Sequence, residues 1–160
     1  MIPEVTIEGF TIRNAEPKDV PLILEFINDL AEYENLSHQV TATEELLMEY
    51  IFHQKKAEVI IADYQQAPVG FALFFHNFST FLGRPGIYLE DLFVKPEMRG
   101  KGFGKAILSY LSRLVEERKY GRLEWSCLDW NESSIRFYKS LGAKPMDEWT
   151  VYRIQQEKIE

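Results

Sequence analysis

Hydrophobic and polar residues alternate along several short segments of the chain, which is the pattern of strands that bury one face. The first such segment, residues 5–12, is interrupted by Gly9. Further segments that predict strands are residues 58–64, 69–78, 87–95, 123–128 and 149–154. The last of these alternates as a closing strand does, so the pattern predicts a strand at each end of the chain.

Between these segments, apolar residues recur at the three- and four-residue spacing of amphipathic helices. The first helix is marked by Val20, Leu24, Ile27 and Leu30. Residues 42–53 and 105–119 predict the second and third helices. The fourth is expected to follow Asn131, a candidate N-cap, and to end at Gly142.

The resulting order is strand, two helices, three strands, helix, strand, helix, strand. A meander followed by crossover helices predicts an α/β fold, with a mixed central β-sheet flanked by about four helices. A chain of 160 residues fits one domain, so we expect a single domain over residues 1–160.

Composition narrows the class of protein. The chain is 46% hydrophobic and 27% charged, which is typical of a soluble globular protein. No apolar run approaches the roughly 18 residues that span a bilayer, and the first residues lack the features of a signal peptide. Cys127 is the single cysteine, which excludes a disulfide framework. We therefore expect a cytoplasmic protein with no membrane partner.

The net charge argues against a nucleic-acid-binding protein, and the placement of the histidines argues against a metal-binding protein. The net charge of −7 disfavours nucleic acid as a partner, because phosphate binding requires a basic face, and it weakly favours cationic substrates. His38, His53 and His76 are scattered, so no metal site is predicted.

The strongest chemical signal is the segment 99–105, Arg-Gly-Lys-Gly-Phe-Gly-Lys, between a predicted strand and the helix after it. Glycines let the backbone turn tightly and bring its N–H groups against a ligand. The first N–H groups of the following helix lack intrahelical partners, so the segment suits a phosphate. Arg99, Lys101 and Lys105 would add positive charge.

Two known phosphate loops do not fit this segment. A Walker loop needs four residues between its first glycine and Gly-Lys, followed by Ser or Thr; here three residues intervene and Ala106 follows. A dinucleotide fingerprint needs G-x-G-x-x-G near the start of a βαβ unit, whereas this loop reads G-x-G-x-G past mid-chain. A glycine-rich turn without a ligand remains the alternative.

Arg99, Gly102 and Gly104 satisfy the pattern R-x-x-G-x-G, and in this strand–loop–helix context the chain resembles the GNAT superfamily of acetyltransferases. The resemblance covers essentially the whole chain. It implies that acetyl-CoA is the co-substrate and that its pyrophosphate binds the loop, through Arg99, Gly100, Lys101, Gly102, Phe103, Gly104 and Lys105. It also implies that Leu92, Phe93 and Val94 pair by main chain with the pantetheine arm.

Two adjacent acids, Glu90 and Asp91, lie inside an otherwise apolar predicted strand. Neighbouring strand residues face opposite sides, so the two acids do not form one solvated face. An amine with a pKa near 10.4 is nucleophilic in only about one molecule in a thousand at neutral pH, and a carboxylate can accept its proton. We therefore expect Glu90 to be the base and Asp91 to bind substrate or orient the strand. The alternative is an edge or splayed strand with one acid in water and the other capping a loop.

Residues 131–143 are similar to the family segment N-x-x-[AS]-x-x-F-Y-x-x-x-G-[AF]. The resemblance implies that Tyr138 is the general acid that protonates the departing thiolate. It implies cofactor contacts for Asn131, Ser134 and Phe137. The alternative for Tyr138 is a core position, because it shares helical spacing with Ile135 and Leu141.

A more specific resemblance is to the diamine (spermidine/spermine) and thialysine acetyltransferases. It rests on five short segments: residues 30–34, 39–40, 88–91, 130–132 and 137–139. It implies an amine site of carboxylates and aromatic rings, made by Tyr33, Glu34, Glu90, Asp91, Trp125 and Trp149. For Tyr33 and the two tryptophans, packing in the core is the alternative.

The predicted activity is acetyl transfer to a primary amine of a small cationic substrate, a polyamine, a diamine or a thialysine-like amine, by direct attack in a ternary complex. The resemblance also implies a homodimer, for which the aromatic run 71–81 could supply apolar surface or could instead be core. Two functional alternatives remain: a GNAT enzyme for another amine, such as an amino acid, an aminoglycoside or a protein N-terminus, and a non-catalytic acyl-CoA-binding module.

Overall fold

The strands form one mixed sheet, seen in a computed structural model that describes residues 1–157. Within these residues the five strands are β1 (Phe10–Asn14), β2 (Glu58–Tyr64), β3 (Ala67–Ser79), β4 (Arg84–Val94) and β5 (Leu123–Trp125). Their order in the sheet follows the chain. The first four are antiparallel and β5 runs parallel to β4, which confirms the predicted mixed sheet.

Four helices occur in the same residues, as predicted. They are α1 (Val20–Tyr33), α2 (Glu44–Leu47, continued by a π-helix over Met48–His53), α3 (Phe103–Glu117) and α4 (Glu132–Ser140). Short 3₁₀ turns occur at Pro17–Asp19, Ser37–Gln39 and Pro96–Met98. None of the helices in the described residues is both long and apolar enough to cross a membrane.

The chain divides into two compact units, one over Met1–Ser126 and another that begins at Cys127. The first unit holds the whole sheet and α1 to α3, and the second holds α4. Asn131 is the N-cap of α4, where its side chain accepts a hydrogen bond from the Ser134 N–H, as its position predicted.

Helix α1 packs on the sheet through aromatic residues. Ile23 and Phe26 of α1 are fully buried against Phe71 of β3 and Phe93 of β4, and the rings of Phe26 and Phe71 are 5.4 Å apart. Four consecutive residues of β2, Val59 to Ala62, are buried, so this strand is covered on both faces. The sheet is therefore a rigid support for β4, whose far end carries the two acids.

The predicted strand at residues 149–154 is wrong. In the structure these residues form no regular element, and Val151, Tyr152 and Ile154 are exposed. Alternation shows only which side chains a strand could bury; a strand also needs a neighbour to pair with, and the strand pairs of the described residues do not include this segment.

Two other strands are shorter than predicted. The first begins at Phe10, after a turn at Gly9 with a φ of 78°, and residues 5–7 lie outside it. Strand β5 ends at Trp125, three residues before the predicted end. This early end matters for the site, because it limits how far β5 runs beside β4.

Candidate active site

A β-bulge in β4 takes Glu90 out of the regular ladder and leaves Asp91 in it. Leu73 of β3 lies opposite Asp91, and the next residue, Phe74, lies opposite Leu89. Glu90 is thus the extra residue of a bulge, and it is exposed. Asp91 is half-buried beside Leu73, on the face of the sheet that α1 covers. The bulge therefore directs two neighbouring carboxylates into different environments.

Strands β4 and β5 separate next to the bulge. Their pairing covers only Ile87 to Leu89 of β4, although β4 continues to Val94. Beyond Leu89, β5 no longer supplies hydrogen-bond partners for β4 on this side. The strand segment with Leu92, Phe93 and Val94 is thus suited to pairing with an extended ligand through its main chain.

One hydrogen bond sits just before this separation. The Tyr88 and Ser126 hydroxyl oxygens are 2.6 Å apart, which links β4 to the residue after β5. Sequence reasoning missed this contact, since nothing in the local pattern relates two polar residues 38 positions apart. The bond lies next to the point at which the two strands stop pairing, after Leu89 and Trp125.

The glycine loop has the geometry that a phosphate needs. Gly100 and Gly102 have φ angles of 80° and 86°, in the left-handed region that other residues adopt at a cost. A Cβ at Gly100 would meet nothing within 4 Å, so its requirement is torsional and not steric. Gly102 is the N-cap of α3, so the free N–H groups of the helix begin directly after it.

The other residues of the loop differ in burial: some side chains are in solvent and one is in the core. Lys101 and Lys105 are exposed, and Gly104 lies inside the first turn of α3. The Phe103 ring is 2% exposed and stacks on the Phe10 ring at 4.6 Å, so its side chain belongs to the core. The prediction of Phe103 as a cofactor residue is therefore restricted to its main chain.

The predicted cofactor contact of Phe93 is likewise limited to its main chain, because its ring is buried in the core cluster under α1. Leu92 and Val94, its neighbours, are half-buried. In both phenylalanines the aromatic ring anchors the segment and leaves only main-chain groups to face a ligand.

Arg99 opens the loop and is held by three groups. Its Nε donates a 3.1 Å hydrogen bond to the Val94 carbonyl oxygen. Its Cζ lies 4.5 Å from the centre of the Tyr33 ring and 5.7 Å from that of Phe93. The structure thus brings a predicted cofactor residue and a predicted substrate residue into contact, which the sequence analysis did not foresee.

Three carboxylates form a negatively charged group at the end of α1 and the bulge. Burial, and then the charges of Glu90 and Glu34, raise the pKa of Asp91 to about 6. Burial also raises the pKa of Glu34, the residue that follows α1. A cation placed here would relieve the repulsion between these groups.

The two tryptophans have different surroundings. Trp125 of β5 is half-buried and lies opposite Leu89, close to the bulge. Trp149 belongs to the second unit and is 74% exposed. The structure therefore brings Glu34, Glu90 and Asp91 together in the first unit, with Tyr33 preceding Glu34 and Trp125 beside Leu89, and it leaves the predicted role of Trp149 without local support.

In the second unit, the predicted cofactor residues cluster on and before α4. The Asn131 side-chain oxygen accepts from the Ser134 N–H at 3.3 Å, so this oxygen is used in capping. The Phe137 and Tyr138 rings are half-buried, with centres 5.5 Å apart. Tyr138 is thus not a fully buried core residue, which was the alternative for it.

Replacing Asp91 with asparagine is expected to stabilise the fold at neutral pH. The native pKa of about 6 exceeds the unfolded value of about 3.9, so ionised Asp91 lowers the free energy of unfolding above pH 6. The gain in the melting temperature of Asp91→Asn should be present at pH 7.5, shrink through pH 6 and vanish near pH 4.

Asp19→Asn is the matched control. Hydrogen bonds from Arg13, at 2.8 and 3.0 Å, lower the pKa of Asp19, so its carboxylate stabilises the fold at neutral pH. This variant should melt earlier at pH 7.5, and its deficit should shrink as the pH falls below 4. An Asp91→Asn variant that is less stable than the parent at pH 7.5 would contradict the predicted cost of burying the ionised Asp91 carboxylate beside Glu90 and Glu34.

Comparison with known proteins agrees with this geometry. Residues 23–143 match the model of the Acetyltransferase (GNAT) family. The chain is 38% identical to a thialysine N-epsilon-acetyltransferase of Bos taurus, over 92% of this chain and 94% of that protein. It is 28% identical to the L-ornithine N5-acetyltransferase NATA1 of Arabidopsis thaliana, over 99% and 92%.

A solved structure, an integron cassette protein of V. cholerae, superposes with a TM-score of 0.76 at 28% identity, over 93% of this chain and 94% of that one. The predicted α/β fold is thereby confirmed. The glycine loop, the strand that separates from its neighbour and the family match together identify the protein: the chain belongs to the GNAT acetyltransferase family and is an acetyl-CoA-dependent N-acetyltransferase.

Proposed function

We propose that the chain acetylates a primary amine of a small cationic substrate, a polyamine, a diamine or a thialysine-like amine, by direct attack in a ternary complex with acetyl-CoA. The observation that carries this proposal is the group of three carboxylates at the bulge. Burial, and then the charges of Glu90 and Glu34, raise the pKa of Asp91, so a cationic substrate is the ligand that this group of charges favours.

For the co-substrate, the proposal uses the loop and the open part of β4. The residues assigned to it are Leu92, Phe93, Val94, Arg99, Gly100, Lys101, Gly102, Phe103, Gly104 and Lys105, with Asn131, Ser134 and Phe137 from the second unit. The left-handed glycines and the start of α3 suit a pyrophosphate, and the strand segment suits an extended amide-bearing arm. Acetyl-CoA supplies the activated acetyl group.

The amine is assigned to Tyr33, Glu34, Glu90, Asp91, Trp125 and Trp149. Asp91 is ionised above about pH 6 and can hold an ammonium group by charge, whereas the aromatic rings can hold one by cation–π attraction. Binding of a cation should in turn favour the ionised carboxylate. The relatives that act on thialysine and on ornithine both accept a terminal side-chain amine, which agrees with this class of substrate.

Two residues are assigned to proton transfer. Glu90, exposed at the bulge, accepts a proton from the ammonium group, and the free amine then attacks the acetyl carbonyl carbon to form a C–N bond. The nitrogen of the tetrahedral intermediate loses its second proton to solvent, and the C–S bond breaks as the intermediate collapses to the amide. Tyr138 donates a proton to the departing thiolate and recovers one from solvent. Its assignment rests on the match of residues 131–143 to the family segment.

A single domain over residues 1–160, a cytoplasmic location and a homodimer complete the proposal. The aromatic run divides in a way that leaves room for a dimer surface: Phe71 and Phe74 are core, whereas Phe78 and Phe81 near the β3–β4 turn are 58% and 96% exposed. Light scattering of the purified chain would test the oligomeric state.

The function is tested by turnover of acetyl-CoA with putrescine, spermidine, spermine, lysine, ornithine and thialysine side by side, with release of CoA as the readout. We expect turnover with at least one of these amines, and little with a peptide that offers only its N-terminus. Turnover confined to the peptide, or to an aminoglycoside, would show a different acceptor. Binding of acetyl-CoA without turnover of any amine would show a non-catalytic module.

A further inference from the structure

The Arg99 guanidinium is held by a hydrogen bond at one edge and by aromatic rings next to its plane. The edge is the Nε–H, which bonds to the Val94 carbonyl oxygen at 3.1 Å. The flat surface lies over the Tyr33 ring, 4.5 Å from its centre, with the Phe93 ring 5.7 Å away. Among the hydrogen bonds of the described residues, this is the single one that the guanidinium donates.

This arrangement leaves the donors of the guanidinium nitrogens Nη1 and Nη2 for another group. A guanidinium has five N–H donors in a rigid planar fork, and the two terminal nitrogens carry four of them. Arg99 is exposed and begins the loop whose glycines and helix start suit a phosphate. Its terminal nitrogens are therefore held in place next to that loop before any ligand arrives.

The aromatic platform under Arg99 is rigid because of the fold. Tyr33 is the last residue of α1, and this helix is anchored in the core through Ile23 and Phe26. Phe93 belongs to the same core cluster. The packing of α1 therefore sets the position of the Tyr33 main chain, from which the ring reaches the Arg99 guanidinium.

We propose that Tyr33 is a positioning residue of the acetyl-CoA site, where its ring holds the Arg99 guanidinium in the orientation that binds a phosphate of the co-substrate. The proposal rests on the proposed function only in that acetyl-CoA binds at the glycine loop. It assigns to Tyr33 an action on the co-substrate, in addition to its expected contact with the amine.

Loss of the ring should weaken the binding of CoA in the absence of any amine. Removing a cation–π contact at a partly exposed site corresponds to roughly threefold to tenfold in the dissociation constant. Tyr33→Leu keeps apolar volume and removes the aromatic face, so it should weaken CoA to this extent, and Tyr33→Phe, which keeps the face, should bind as the parent does. Isothermal titration with CoA measures both, and melting temperatures report on folding.

A double-variant cycle with Arg99→Met separates positioning from a general disturbance. In the Arg99→Met background, Tyr33→Leu should have no further effect on CoA binding, because the side chain that it positions is gone. In steady state, at a saturating concentration of the amine, Tyr33→Leu should raise the KM for acetyl-CoA and Tyr33→Phe should restore it. Tyr50→Leu, at another exposed tyrosine, is the matched control and should leave CoA binding unchanged.

The outcomes are distinct. Equal CoA affinity for the parent and Tyr33→Leu, or additive effects of the two substitutions, would overturn this inference and leave the proposed function standing. Equal weakening in Tyr33→Phe would also overturn it, because the ring face is then not what matters. A parent chain that does not bind CoA at all would overturn the inference and the proposed function together.

Discussion

Replacement of Tyr138 with phenylalanine is expected to lower kcat about 100-fold or more, while the affinity for acetyl-CoA stays nearly unchanged. General acid catalysis by a positioned side chain is worth roughly 10²- to 10⁴-fold in rate, and phenylalanine removes the proton donor but keeps the ring. The ring packs against Phe137 in α4, so the local packing is retained. Comparison of kcat with the CoA dissociation constant measures the two effects separately.

Tyr152→Phe is the matched control for this experiment. Tyr152 belongs to the same unit and is 91% exposed, and no catalytic role is assigned to it. Its replacement should leave both kcat and CoA binding unchanged. If Tyr138→Phe turned over at the parent rate, Tyr138 would not be the proton donor, and solvent or another group would have to protonate the thiolate.

The second large effect concerns Glu90 and depends on pH. Glu90→Gln is expected to lower kcat/KM about 100-fold at pH 7.5, because the amine then has to lose its proton to water. The deficit should shrink as the pH approaches the amine pKa near 10.4, where the free amine forms without a base. The measurement is a pH profile of kcat/KM for the parent and the variant with the best amine from the panel.

Glu116→Gln, on the exposed surface of α3, controls for the loss of one negative charge. It should reproduce the parent profile. A Glu90→Gln profile that runs parallel to the parent at every pH would mean that Glu90 contributes charge and not proton transfer. A profile identical to that of the parent would remove Glu90 from the mechanism.

Much of the fold follows from local sequence pattern, because buried faces repeat with a fixed period. Strand β2 has the predicted limits, and α4 begins after Asn131 as its capping residue indicated. The segment 149–154 shows where this reasoning fails. Its alternation is as regular as that of a true strand, but pairing depends on a distant neighbour, about which the segment itself carries no information.

Only part of the candidate site could be predicted from the sequence. The glycine loop could be located because its residues adopt a backbone conformation that glycine favours, and this is a local property. The bulge at Glu90 could not be located in this way, since a bulge is defined by how β4 pairs with β3, and the sequence of β4 does not show this pairing. The contact between Arg99 and Tyr33 joins residues 66 positions apart in the chain. The loop motif had assigned Arg99 to phosphate, and the resemblance to the diamine and thialysine acetyltransferases had implied that Tyr33 binds the amine.

The bulge also has a consequence for how this strand can change in evolution. Before Glu90 the side chains of β4 alternate between the two faces of the sheet in one phase, and after Glu90 this alternation is shifted by one residue. Loss of this one residue would merge the two phases into one regular alternation, in which Leu89 and Asp91 become direct neighbours and still face opposite sides of the sheet. A deletion at position 90 therefore keeps the set of residues that the sheet buries and removes one carboxylate, whereas a deletion elsewhere in β4 moves the residues beyond it to the other face. Among related chains, β4 should therefore change in length more readily at position 90 than at its other positions.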